Sequence, residues 1–320
     1  LEDDESDKSS NSSQSIKNDT NIPETKNIFP ALSVNLEYVK TKYNSMINSD
    51  IIIREFTLNA RGKQYSAFIL YIDGMINTDI MNKFILEPLM LKNRSNMFDG
   101  EQNRIISEAV TNNITVRKVK KFDLSEYILG CLMPQNSVEQ YSEFEKIFND
   151  INSGNCALFI DTLTIAFDID VKGFKQRSVE RPQNEIVING AHEAFVENIR
   201  TNTSLLRRNV HNENLIIENI SIGKITKTPS ALCYVQNIAN SDLVDEVRYR
   251  LNNIEVDSLL STGQLEQLII DSNIMDIPQV LSTERPDKAS GYLLDGRIIV
   301  LVNGTPYALI APAIFTDFLA

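Results

Sequence analysis

Hydrophobic and polar residues recur along the chain in two periods, which predict a series of helices and strands. Apolar residues fall at helical spacing from Leu32 to Ile47. Runs rich in branched and aromatic residues, Ile51–Leu58 and Tyr65–Ile72, then predict strands. Further helices are predicted over Thr78–Glu87, Gln102–Asn112, Leu124–Leu132 and Val138–Ile151, and further strands over Ile114–Val119, Cys156–Ile160 and Thr164–Ile169. Thr78 is the predicted N-cap of its helix, which Pro88 is expected to end.

The second half of the chain repeats this order of elements. A helix is predicted over Ala191–Val210, followed by strands and helices over Leu215–Ile222, Ala231–Ile238, Asp242–Asn253 and Thr262–Asp271, and by two closing strands. The closing segments Gly154–Ile169 and Gly296–Ala311 align without a gap. Chance resemblance of two apolar hairpins is the alternative, but the matching element order favours internal duplication. We therefore predict an α/β protein of two structurally similar units with mixed sheets.

The composition along the chain places the boundaries of these units. Residues 1–30 are almost entirely polar, so they cannot offset the entropy of ordering and are predicted to be disordered. The first α/β unit is assigned to residues 31–174, a flexible linker to 175–187 and the second unit to 188–320. Because the chain lacks an initiator Met and a polar tail, we expect it to be part of a longer protein.

Composition and charge exclude several classes of protein. A hydrophobic fraction of 42% with 23% charged residues is typical of a globular domain. The net charge of −12 argues against a nucleic-acid partner, because phosphates must be neutralised by Lys and Arg. Cys131, Cys156 and Cys233 lie far apart, which indicates reduced thiols and a reducing compartment. No apolar run is long enough for a membrane helix.

No pattern in the sequence indicates catalysis. The histidines His192 and His211 are not near a cysteine, so a zinc site is unsupported. No phosphate-binding glycine loop, dinucleotide motif or nucleophile elbow is present. Scattered carboxylates leave an acid/base pair open, without any positive signal. We therefore expect no enzyme activity, no cofactor and no metal.

The predicted helix Ala191–Val210 carries the most structured pattern. Its apolar stripe must pack on a sheet or another helix and consists of Ala191, Phe195, Ile199, Leu206 and Val210. Asn202 lies on the same stripe, where its amide either bonds neighbouring backbone or contacts a ligand. Arg207 and Arg208 near the end complement the helix dipole. The alternative is that these arginines contact another subunit.

A dense polar segment, Thr283–Asp287, interrupts the apolar runs of the second unit. Pro286 restricts Arg285 to an extended conformation. Ordinary loop chemistry explains such a segment. Alternatively, Glu284, Arg285 and Asp287 form an ion-pair network that holds the loop on its own unit or on a neighbour.

Three segments together resemble a known family. They are Glu193–Arg208 (EAFVENIRTNTSLLRR), Thr283–Asp287 (TERPD) and Gly296–Pro306 (GRIIVLVNGTP). They resemble the A subunits of the GerA-type nutrient germinant receptors of endospore-forming bacteria, over roughly Ile51–Ala320. The chain departs from that pattern at residues 189–192 (NGAH) and at Asn209, where the family has arginines. The candidate interaction or structural residues are Glu197, Asn198, Arg200, Asn202, Arg207, Arg208, Glu284, Arg285, Pro286 and Asp287.

The resemblance implies a function and a location. It implies the soluble N-terminal region of an A subunit on the cytoplasmic, core-facing side of the spore inner membrane, reaching the membrane through a C-terminal part that this chain lacks. The implied partners are the receptor B and C subunits and other A subunits. The implied function is to couple nutrient sensing to ion release and germination. The alternative is a module that binds a small germinant between its two units.

Overall fold

The computed structural model describes residues 26–60, 63–90, 122–134, 137–173, 182, 185, 191–270, 279–314 and 317. The predicted helix Gln102–Asn112 and strand Ile114–Val119 lie outside the described residues, as does most of the linker 175–187. Within residues 26–30, at the end of the predicted leader, Ile28 is buried and its backbone N–H donates to the carbonyl of Ser142. Among the described residues, no helix has the length and apolar character needed to cross a membrane.

Unit 1, the described part of residues 26–173, is built from helices and one sheet. Helix α1 (Leu32–Lys42) leads into the hairpin of β1 (Ile51–Ala60) and β2 (Lys63–Ile72). The next elements are α2 (Thr78–Met81), a π-helical turn (Asn82–Leu86), α3 (Glu87–Met90), α4 (Leu124–Tyr127) and a second π-helical turn (Ile128–Leu132). The unit ends with β3 (Val138–Tyr141), α5 (Phe144–Asn152), β4 (Cys156–Ile160) and β5 (Ala166–Ile169).

Unit 2, the described part of residues 191–317, has a matching order. Helix α6 (Ile199–Asn209) precedes the hairpin of β6 (Leu215–Ile222) and β7 (Thr228–Val235). The unit continues with α7 (Ser241–Asn252), α8 (Thr262–Ile269), β8 (Leu281–Thr283), α9 (Pro286–Leu294), β9 (Ile298–Val302) and β10 (Ala308–Ala311). The prediction of an α/β protein with two similar units is confirmed.

Each unit contains a five-stranded sheet, and the two sheets share one topology. The strand orders are β1-β2-β4-β5-β3 and β6-β7-β9-β10-β8. Every pairing is antiparallel, so the prediction of mixed sheets was wrong in this respect. Short connections join β1 to β2, β4 to β5 and their counterparts, and such connections permit antiparallel pairing alone. The other pairings, β2 with β4 and β3 with β5, join strands that are not linked by a hairpin, and local pattern does not reveal their direction.

Helices cover both faces of each sheet, so each unit has three layers. In unit 1, α1 and α5 pack on one face, with Val39 and Phe148, while α2 to α4 pack on the other, with Ile85 and Leu124. In unit 2, α6 and α9 cover one face and α7 and α8 the other. With both faces buried, inner strands carry continuous apolar runs, as in Ile298–Val302.

The duplication extends to individual polar contacts. Asn35 bonds both backbone groups of Phe29, and Asn202 bonds both backbone groups of Val196 in the same way. The N–H of Leu32 donates to Asp161, just as that of Ile199 donates to Asn303. The aligned glycines Gly154 and Gly296 both have positive φ, at 102° and 83°. Contacts of this detail support an internal repeat rather than chance resemblance.

Three predicted helices differ from the structure. Val138–Tyr141 forms β3 instead of helix, because it pairs with β5 across the sheet edge. The long helix Ala191–Val210 begins only at Ile199, where the Asn198 side chain caps it. Asn77, not Thr78, caps α2, and the helix continues past Pro88. Pro88 has no backbone N–H to donate. The π-helical turn before it, in which the N–H of Glu87 donates to the carbonyl of Asn82, lets the helix continue without that hydrogen bond.

Candidate functional site at the junction of the two units

Helix α6 brings several of the predicted residues to the surface where the two units meet. The Asn198 side chain accepts a hydrogen bond from Thr201 N at 3.1 Å and fixes the start of the helix. Arg200 then lies in the first turn and Arg207 in the last. Both arginines point to unit 1, where Arg200 pairs with Asp73 and Arg207 with Asp50.

Arg207 forms a buried ion pair with Asp50 of unit 1. Its Nε and Nη2 donate to the two carboxylate oxygens of Asp50, each at 2.8 Å. Both side chains are 1% exposed. Nη2 also donates to Asn48 Oδ1 at 3.0 Å, and Nη1 to the carbonyl of Asn212 at 3.3 Å. Burying two charges is costly, and the attraction between them offsets this cost only when the pair is bidentate and its other polar atoms are hydrogen-bonded. The pair therefore fixes the orientation of unit 1 relative to unit 2.

The turn before β1 also covers the exposed edge of the other sheet. Strand β6 is an edge strand, whose outward backbone groups would otherwise be unpaired. Asn48 Oδ1 accepts a hydrogen bond from Ile217 N at 3.0 Å, and Asn48 Nδ2 donates to the carbonyl of Leu215 at 3.1 Å. Ser49 N donates to Ile217 O at 2.8 Å, and Ser49 Oγ accepts from Asn219 N. We call Asn48–Asp50 the edge cap.

The edge cap exists because the repeat is not exact at this point. In unit 1, residues 43–50 connect α1 to β1, whereas in unit 2 the shorter segment 210–214 connects α6 to β6. The extra length lets unit 1 extend across to β6. The junction is therefore a specialised feature of unit 1 and not a property common to both repeats.

Weaker ion pairs surround the buried one. Arg200 Nη2 lies 3.0 Å from Asp73 Oδ2, and Lys42 Nζ lies 3.1 Å from Glu213 Oε1. All four side chains retain solvent exposure of 21% to 43%. Exposed pairs contribute little to stability, roughly 0 to 1 kcal/mol each. These pairs therefore shape the rim, while Arg207 and Asp50 dominate the energetics.

A cleft opens beside Arg200. Its volume is about 270 Å³, and its polar lining includes Arg200, Thr203, Asn219, Ser221 and Ser230. The positive charge of Arg200 at the cleft is already neutralised by its ion pair with Asp73. The volume of the cleft lies just below the range of about 300 to 1,000 Å³ that is typical of pockets for small molecules.

Asn202 serves a structural purpose. The side chain is fully buried, its Oδ1 accepts from Val196 N at 2.8 Å and its Nδ2 donates to Val196 O at 2.6 Å. This matches the first of the two interpretations offered by the sequence, that the amide bonds neighbouring backbone. It ties the extended segment before α6 to the helix.

Replacing Asn202 with alanine is expected to lower the free energy of unfolding by about 1 to 3 kcal/mol, because both backbone groups of Val196 lose their partner. Asn35→Ala should produce a similar loss in unit 1. Urea denaturation followed by circular dichroism measures both. The control is Asn209→Ala, an exposed position on the same helix, which should change stability by less than about 0.5 kcal/mol. Equal effects at Asn202 and Asn209 would contradict this assignment.

The predicted segment Glu284–Asp287 makes contacts within unit 2 and with Glu185. Glu284 is buried, its carbonyl accepts the N–H of Phe195 and its Oε1 accepts the N–H of Glu185 at 2.8 Å. Arg285 donates two hydrogen bonds to Asp287, and Pro286 begins α9. The segment is thus a helix start and not a loop, and it holds the linker residue Glu185 on unit 2.

The charges of this segment are stabilised as an ion pair. Burial raises the pKa of Asp287, but the hydrogen bonds and the positive charge of Arg285, together with backbone hydrogen bonds, leave the pKa below its ordinary value. Glu185 also accepts from Thr283 Oγ1 and lies 3.1 Å from Lys288 Nζ. At Glu185, therefore, the predicted flexible linker is anchored.

The two remaining predicted residues make local contacts. The carbonyl of Glu197 accepts the N–H of Gly304 at 2.7 Å, in the turn between β9 and β10. Arg208 Nη2 lies 3.2 Å from Glu193 Oε1, and the two side chains are 35% and 43% exposed. A role for either in binding a partner stays a prediction.

Sequence reasoning also missed the buried carboxylate of Asp168, on β5. It is 5% exposed and accepts a 2.6 Å hydrogen bond from Asn155 Nδ2, while its own Oδ1 and Asn155 Oδ1 have no protein partner. Burial raises its pKa to about 7, the nearby Asp150 and Glu139 add to this, and the Asn155 bond and Lys172 oppose it. The sequence signal was weak, since a single Asp in an apolar strand indicates little alone.

The remaining chemistry is sparse. Within the described residues, no group of three or more His, Cys, Asp and Glu side chains is placed to hold a metal ion. Cys156 and Cys233 are free and buried, as predicted for reduced core thiols. Burial raises the pKa of both thiols well above the ordinary value, which makes them unreactive.

Comparison with known proteins places this architecture in a family context. A family model described as Bacillus/Clostridium GerA spore germination protein matches residues 37–320. Spore germination protein KA of Bacillus subtilis (strain 168) is 32% identical over 291 residues, which cover 91% of this chain and 48% of that protein. Spore germination protein B1 of the same organism is 33% identical over 272 residues, covering 85% and 51%. The chain spans about half the length of the relatives it matches.

A solved structure is similar over nearly all of the chain. It is the crystal structure of the N-terminal domain of the A subunit of the Bacillus megaterium spore germinant receptor GerK3. The alignment has a TM-score of 0.61 and 31% sequence identity, and it covers 91% of this chain and 98% of that one. The similarity therefore includes both units and the order in which they are joined.

Proposed function

The chain belongs to the Bacillus/Clostridium GerA family of spore germination proteins, and from this we propose that it is the N-terminal region of a germinant receptor A subunit that couples nutrient sensing to the ion release that begins germination. The observation that carries the coupling role is the buried Arg207–Asp50 pair. It joins two independently cored units into one body. A body of this kind can pass a displacement from one end to the other.

The proposed partners follow from family membership. They are the receptor B and C subunits, other A subunits and the membrane-spanning part of the same polypeptide. The similar GerK3 structure is an N-terminal domain, so the remainder of an A subunit would follow the present chain. We place the region on the core-facing side of the spore inner membrane, and an ion channel would be formed by the part that follows it.

Deleting this region from the complete A subunit is the direct test. Spores whose sole nutrient receptor carries the deletion should fail to germinate with nutrient, while a trigger that bypasses the receptor should still germinate them. The control is the receptor with Asn209→Ala, an exposed position of α6 whose replacement should change stability by less than about 0.5 kcal/mol. Receptor levels are followed by immunoblotting. A normal nutrient response without the region would refute the proposal.

The cleft beside Arg200 favours a second candidate, direct binding of a small polar germinant. Closure of the two units around a ligand would require the buried Arg207–Asp50 pair to break, so binding would occur without a hinge motion. Isothermal titration of the purified chain with amino acids, sugars and nucleosides separates the candidates. Heat that disappears in Thr203→Val, inside the cleft, would support binding there; no heat with any of them leaves the coupling role.

A further inference from the structure

The last described residues of unit 2 are held by a cluster that we call the exit clasp, formed by Tyr292, Arg297 and Asp317. Arg297 donates to both carboxylate oxygens of Asp317, with Nη2 to Oδ1 at 3.1 Å, and to the carbonyl of Pro312 at 3.3 Å. Its guanidinium carbon lies 4.3 Å from the ring centre of Tyr292, and Asp317 Oδ2 accepts the N–H of Ile314 at 2.8 Å. The Arg297 and Asp317 side chains are only 11% and 7% exposed.

Comparison of the two repeats shows that this cluster is specific to unit 2. The gapless alignment at Gly154 and Gly296 makes Asn155 the counterpart of Arg297. Asn155 bonds inward to Asp168 in its own sheet. After β5 the chain turns back onto unit 1, where Asn77 N donates to Val171 O at 2.8 Å and Lys172 bridges to Ile76. At the equivalent position of unit 2, the charged Arg297 instead pairs with Asp317, which follows the last strand, β10.

The chemistry of the clasp suits a rigid attachment. Arg297 directly precedes β9, whose five residues are all buried, so its backbone cannot shift independently of the core. A planar guanidinium bonded to a carboxylate at two points and stacked on a ring is fixed in orientation. The hydrogen bond from Arg297 lowers the pKa of Asp317, so the carboxylate is charged throughout the neutral range. Acid would release it only at a pH below the range in which an ordinary aspartate is protonated.

We propose that the exit clasp is the mechanical output of this region, fixing the direction in which the polypeptide leaves unit 2 and transmitting the displacement of the joined units to the part of the A subunit that follows. The proposal rests on the coupling role proposed above. It assigns the two junctions different tasks: Arg207–Asp50 joins the units, and Arg297–Asp317 connects them to what comes next.

The test uses the complete A subunit as the sole nutrient receptor of the spore. Asp317→Asn and Arg297→Gln should each slow germination at saturating nutrient roughly ten-fold, the size of a typical coupling between sites. The double variant should be no slower than either single variant, because both remove one interaction. The matched control is Arg248→Gln, which breaks the Arg248–Glu218 pair of unit 2, 2.9 Å long and without contact to the exit segment. Its rate should stay within about two-fold of the parent.

The melting temperature of the purified chain separates coupling from folding. Asparagine has the shape of aspartate and keeps one acceptor oxygen for Arg297, so Asp317→Asn should melt with the parent. If it does not, Arg297→Lys, which keeps the charge but loses the two-point geometry, takes its place. Parental germination in these variants, with the whole-region deletion inactive, would overturn the clasp and leave the coupling role standing. Parental germination in the deletion would overturn the coupling role itself.

Discussion

Replacing Arg207 with alanine is expected to lower the free energy of unfolding by about 3 to 5 kcal/mol, because it leaves the Asp50 carboxylate buried without a counter-charge. Asn48 Oδ1 loses a donor in the same step, and the edge cap on β6 is weakened with it. Urea denaturation of the purified chain, followed by far-ultraviolet circular dichroism and tyrosine fluorescence, measures the loss. Asp50→Ala should cause a comparable loss from the other side of the junction.

The neighbouring arginine provides the control. Arg208 follows Arg207 on the same helix and also forms an ion pair, but its partner Glu193 is 43% exposed. Arg208→Ala should therefore lower stability by less than about 1 kcal/mol. If Arg207→Ala and Arg208→Ala fall within 1 kcal/mol of each other, roughly the error of such a comparison, the buried pair does not hold the units together.

Asp168→Asn is expected to raise stability at pH 8 by about 2 to 3 kcal/mol. The folded protein must either bury a charge at Asp168 or keep a proton that the unfolded chain has lost, since burial raises its pKa from 3.8 to about 7. An asparagine of the same shape has no charge to bury. The full shift would correspond to a larger value, which we reduce because β5 lies beside the sheet edge, where solvent screens charge.

The pH dependence gives the sign of this effect an independent check. Because the folded pKa is raised, the stability contributed by protonated Asp168 is complete below about pH 4, falls as the pH rises towards 7 and is constant above. The gain from Asp168→Asn should therefore be larger at pH 8 than at pH 5. Asp170→Asn removes an equal charge from a less buried position of the same segment and should change little. An Asp168→Asn protein no more stable than the parent at pH 8 would disprove the assignment.

The elements that the sequence predicts well are those defined by local pattern. The strand Leu215–Ile222 has the predicted bounds, and the gapless alignment at Gly154 and Gly296 identifies the repeat. Asn202 bonds neighbouring backbone, the first of the two interpretations, because a single polar residue on an apolar stripe needs partners wherever it packs. Such features depend on residues within one helix, one strand or one turn.

The junction could not be predicted, because its partners are far apart in the chain. Arg207 and Asp50 are separated by 157 positions, and Asn48–Asp50 looks like an ordinary polar turn between apolar runs. Local pattern also failed at Val138–Tyr141, where pairing with β5 overrides a helical spacing. The same limit applies to the start of α9, where Arg285 and Pro286 looked like a loop.

The edge cap sets where chimeric receptors can be joined. Residues 44–50 belong to unit 1 by position in the chain, yet Asn48 and Ser49 hydrogen-bond to β6 and Asp50 to Arg207 on α6. An exchange of whole repeats between two relatives, cut at residues 175–187, would separate this loop from the strand and arginine with which it has been matched. A crossover that moves residues 44–50 together with unit 2 would keep this loop with the strand β6 and the arginine Arg207 that it contacts.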